Sequence, residues 1–142
     1  MNASQTSNRS IRRFCRFAVA SLLSLGVAAG ALAQSVSFVE PADGATVTSP
    51  FKVKFAVSGM EVKPAGDMTA NTGHHHLLIN AEPVKAGESV PFDATHLHFG
   101  KGQTETDVTL PPGVYTLTLQ FANGAHQSYG PAGSKSIKVT VK

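Results

Sequence analysis

The run Phe51-Lys52-Val53-Lys54-Phe55-Ala56-Val57 constrains the fold more than any other stretch of the chain. Its apolar side chains recur at every second residue. Phe51, Val53, Phe55 and Val57 are thus expected to face a core while Lys52 and Lys54 face water, the signature of a half-buried β-strand. The same period returns in residues 114–121, where Tyr115, Leu117, Leu119 and Phe121 alternate with Val114, Thr116, Thr118 and Gln120. It returns again in residues 136–141, with Ile137, Val139 and Val141 on one face. Residues 35–39, 74–80, 96–99 and 104–110 are shorter β-favouring runs bounded by turn residues. No long stretch carries helical periodicity. About seven short strands in roughly a hundred residues predict an all-β chain, an immunoglobulin-like antiparallel β-sandwich, with a small open β-barrel as the alternative. Pro111-Pro112-Gly113 leading into Tyr115 resembles the tyrosine corner of such sandwiches, although a Cys…Trp…Cys pattern is missing.

The N-terminus reads as an export signal. Arg9, Arg12, Arg13 and Arg16 form a basic region, residues 17–30 are apolar, and Ala31-Leu32-Ala33 offers small residues for cleavage. The apolar part is short and rich in Ala and Gly, unlike a membrane-spanning helix. Residues 1–33 are therefore expected to be a secretory signal peptide and residues 34–142 one β-sandwich domain, periplasmic or secreted. Removing 33 of 142 residues leaves 109. All four arginines leave with the signal, so eight lysines remain against nine carboxylates and the formal charge moves from +3 to −1. No basic cluster is left for nucleic acid, and no membrane insertion is expected after cleavage. The one cysteine, Cys15, also leaves, so packing rather than disulfides must stabilise the domain in an oxidising compartment.

Against this β background the histidines stand out. His74, His75 and His76 open one strand, His96 and His98 lie on another, and His126 sits in the Gly-rich loop of residues 123–134. Residues two apart on a strand share a face, so His74 pairs with His76 and His96 with His98. His75 alternates with Leu77 and Ile79, which assigns it half to the core. Strands of a sandwich run alternately up and down, so their loops collect at two poles. That places all six histidines near one pole with Met60, Met68, Asp67 and Tyr129. Neutral imidazole is a common transition-metal ligand. The expected metal ligands are His74, His76, His96 and His98, completed by His126, Met60 or Met68, with His75 a weaker candidate.

Thioether beside imidazole favours copper, with zinc as the alternative, and the missing cysteine argues against blue-copper electron transfer. Unperturbed imidazoles titrate near pH ~6.5, so copper affinity is expected to fall steeply between about pH 7 and pH 5. Catalysis finds little support, because Gly-x-Ser-x-Gly, His-Glu-x-x-His and a nucleophilic cysteine are all missing from residues 34–142. No enzymatic activity is expected, although a metalloenzyme with an open coordination position is a third reading. The second is a module without metal, in which His, Tyr129, Lys101 and Gln103 present a surface to an envelope protein or polymer.

Three segments carry a family resemblance. His74-His75-His76-Leu77-Leu78-Ile79, His96-Leu97-His98-Phe99-Gly100-Lys101-Gly102-Gln103-Thr104-Glu105 and Leu119-Gln120-Phe121-Ala122-Asn123-Gly124-Ala125-His126 together resemble a small exported bacterial family catalogued as domain of unknown function 4399. The resemblance covers most of residues 42–142. It implies an exported domain and singles out these positions, and it brings no established activity.

Overall fold

A computed structural model describes residues 32–142. Most of the expected export signal, residues 1–31, lies outside the described residues. Among the described residues, nine strands form two sheets. β1 (Ser35–Glu40), β3 (Phe51–Ser58) and β7 (Glu105–Val108) make the smaller, in the order β1-β3-β7. The larger runs β2-β9-β8-β5-β4, from β2 (Ala45–Val47), β9 (Ser134–Val141), β8 (Gly113–Ala122), β5 (Thr72–Ile79) and β4 (Glu61–Val62). β6 (His96–His98) pairs with β5 on the edge that β8 leaves free. The long pairings are antiparallel, and only the short contacts β2–β9 and β4–β5 are parallel. This is the expected immunoglobulin-like sandwich. Its single helical element among the described residues is the 3₁₀ turn Gly130–Gly133. No described helix is long and apolar enough to cross a membrane.

The period-two faces meet as expected. Val53, Phe55, Leu77, Leu117, Leu119, Phe121 and Val139 are buried between the sheets. Lys52 and Lys54 face outward and pair with Asp107 at 3.2 Å and Glu40 at 2.8 Å. Tyr115 donates its hydroxyl to the Pro111 carbonyl at 3.0 Å, which closes the tyrosine corner.

The outer face of the larger sheet departs from simple alternation. Leu78, Thr118, Gln120 and Ala122 point away from the core and are nevertheless buried. The connection of residues 80–95 folds across them. Val84 N–H donates to Gln120 Oε1, Ser128 Oγ to the Val84 carbonyl, and Val90 N–H to the His126 carbonyl. A flap made of loop therefore closes the outer face, and the histidines lie beneath its edge.

Candidate metal centre

β5 carries three consecutive histidines on two faces. His75 turns inward, between Phe55 and Phe121 at ring-centroid distances of 4.7 and 4.9 Å. His74 and His76 turn outward under the flap, 4.7 Å apart. Register supplies the next ring, because His76 pairs with His98 across the β5–β6 ladder. The loop after β8 supplies the fourth. There Asn123 accepts from the N–H groups of Ala125 and Gln127 and fixes a tight turn that holds His126 at φ 65°. Histidine tolerates that left-handed region better than most residues.

Two glycines make room. A Cβ on Gly100 would lie 2.3 Å from the His98 ring, and one on Gly124 would lie 2.1 Å from the Asp67 carbonyl oxygen. The first lets His98 fold over β5, and the second lets the His126 loop pack close to its neighbour.

The result is a compact group. One ring nitrogen from each of His74, His76, His98 and His126 lies within 4.8 Å of the other three. His98 Nε2 is 3.1 Å from His74 Nε2 and 3.1 Å from His126 Nε2. A single ring nitrogen offers either one N–H or one lone pair, so it cannot make good hydrogen bonds to both neighbours. A metal ion removes the conflict. Imidazoles bound tetrahedrally at about 2.0–2.1 Å place their nitrogens about 3.3 Å apart. The Nδ1 atoms of His74 and His76 are buried without a hydrogen-bond partner, as are both ring nitrogens of His75. The cluster is thus poorly satisfied by the protein alone, and its convergent nitrogens fit a metal ion.

Electrostatics hold the rings in the binding state. Burial, then the proximity of His98 and His126, pushes His74 down to about 4. Burial, then neighbouring imidazoles, takes His76 down to about 3. His98 is lowered for the same two reasons. These imidazoles are neutral at physiological pH, as a ligand must be.

The other expected ligands stand elsewhere. His96 shares a face with His98 but pairs with Leu78, one step further along the ladder, and its Nδ1 lies 2.8 Å from Asp93 Oδ1. His75 belongs to the core. Met60 packs against that core, and Met68 is 64% exposed on the loop before β5. Tyr129 donates its hydroxyl to the Thr72 carbonyl at 2.7 Å and stacks on Phe121, so it is not a free surface group. Sequence reading missed the flap and, with it, Phe92, which is 86% exposed with its ring 6.1 Å from that of His98. An exposed aromatic in a loop gives no local signal of such a neighbour. A cleft of about 560 Å³ lies apart from the centre, between Pro83, Ala86, Pro131 and Lys135, and no histidine lines it.

Fold and site together define a β-sandwich with a four-histidine cluster that could hold a metal ion. The chain belongs to the family described as a domain of unknown function, DUF4399, whose profile matches residues 53–142. No curated protein matches the chain. Among solved structures it is similar to part of an endo-β-1,4-mannanase from Thermotoga petrophila, at 19% identity and a TM-score of 0.46. That match covers 77% of this chain and 20% of the mannanase, and nothing about function rests on it.

Proposed function

We propose that this is an exported metal-binding protein, a carrier or buffer whose four-imidazole centre takes copper(II), with zinc the runner-up. One observation carries the reading: His98 Nε2 stands 3.1 Å from two other Nε2 atoms that it cannot satisfy together. Copper(II) is preferred because it heads the affinity order of divalent first-row metals for nitrogen sites. The thioether argument for copper is weakened, since Met60 packs against the core and Met68 lies exposed. A carrier fits better than a hydrolase, because no carboxylate among the described residues joins the four rings as a general base. A metal-free recognition surface is less well supported, since three of the four clustered imidazoles are kept neutral and two are buried. Export rests on the basic and apolar N-terminal residues.

The test is elemental analysis of protein recovered from the exported fraction, followed by copper(II) and zinc titration. His98→Ala should weaken copper(II) binding at least ~100-fold, whereas His96→Ala should stay within about threefold of the parent. Parent-like affinity in His98→Ala would rule out this centre.

A further inference from the structure

Four imidazoles are neutral donors, and neither carboxylate nor thiolate stands among them. A divalent ion held there keeps its whole charge, beside the buried His74, His76 and Val90. Such a charge in apolar surroundings is costly unless a counter-charge reaches it. Two loop carboxylates stand outside the group of four. Asp93 accepts from Thr95 and pairs with His96, and Asp67 accepts from the Thr69 N–H.

Room for an outside ligand exists on one side. His76 and His126 line a cleft of about 470 Å³ together with Ser89, Val90, Phe92 and Ala125. Among the described residues no lysine or arginine lines this cleft, so the protein supplies no cation there to hold an anion by itself. We propose that the metal-loaded centre binds a small monovalent anion as a fifth ligand, entering through this cleft. Short carboxylates and linear inorganic anions are the class that fits. The anion's lone pair fills a position on the metal and no covalent bond breaks. This inference rests on the metal-binding reading, because the charge that attracts the anion is the metal's.

Azide added to the copper(II)-loaded protein tests it, followed by the azide-to-copper charge-transfer absorption and by electron paramagnetic resonance. One azide should bind per copper, saturably. Ser89→Trp, which fills the cleft from an exposed position that supplies no ligand, should weaken azide at least ~10-fold and leave copper affinity within ~3-fold. If that variant folds poorly, Ala125→Phe obstructs the same cleft from the other side. Copper bound normally with no azide signal would overturn the anion site and leave the carrier reading standing. Azide binding unchanged in a folded, cleft-filled variant would also overturn it. Failure to bind copper at all would instead remove the reading beneath it.

Discussion

His75 and His76 are adjacent and both hidden from solvent, yet only His76 faces other imidazoles. His75 sits among aromatic rings with neither nitrogen hydrogen-bonded, and burial, then the nearby His74, lowers it to about 4. An unfolded histidine takes up its proton near pH ~6.5 and the folded one does not. Stability from neutral His75 is therefore complete above pH ~6.5 and declines as pH falls from there toward about 4. His75→Leu removes two orphaned nitrogens from an apolar site, and urea unfolding should show a gain of about 1–3 kcal/mol at pH 7. The gain should be larger at pH 5; a loss at both values would mean that His75 has a partner. Alternation with Leu77 and Ile79 already assigned this residue partly to the core. The pair His96 and His98 was half legible. Period two puts both on one face, but only register decides which is opposite His76, and register is not written in a three-residue strand.

At the scale of elements, the strands were the legible part because each announces itself through its own neighbours. Residues 51–57, 114–121 and 136–141 all emerge as β-structure with the expected faces inward. The Pro111-to-Tyr115 corner was equally local. Tyr115→Phe deletes only the hydroxyl that reaches the Pro111 carbonyl, and should cost about 1 kcal/mol in denaturant unfolding without changing metal affinity. A cost near zero would show that water replaces the bond. The flap was not legible, for a physical reason. Its composition is that of an ordinary loop, and what pins it are bonds across long sequence separations, Val84 to Gln120 and Val90 to His126. Thr118 and Gln120 read as water-facing from alternation alone; the flap makes them interior, and Gln120 answers with a hydrogen bond to it.

Across the whole molecule, the histidines expected at one pole divide into four that converge, one in the core and one tied to Asp93. Convergence also changes the expected pH response. Sequence alone assigns ordinary imidazoles and a loss of copper affinity between about pH 7 and pH 5. With His74 at about 4 and His76 at about 3, protons compete for these two ligands only at more acidic values. The steep, multi-proton loss should thus fall below pH 5, and titrations at pH 7, 6, 5 and 4 would show it. A steep fall already complete by pH 5 would mean that the cluster is open to water. The origin of the four ligands bears on how a bound ion would leave. His74, His76 and His98 stand on paired strands whose backbone cannot shift without breaking the ladder, while His126 hangs from a turn braced by Asn123. For a bound ion this makes three anchors and one latch, and the latch is among the residues that line the cleft. Under the proposed carrier role, a receiving molecule arriving there would offer its own donor in place of His126, and the ion would change hands while three imidazoles still held it, without being set free in solution.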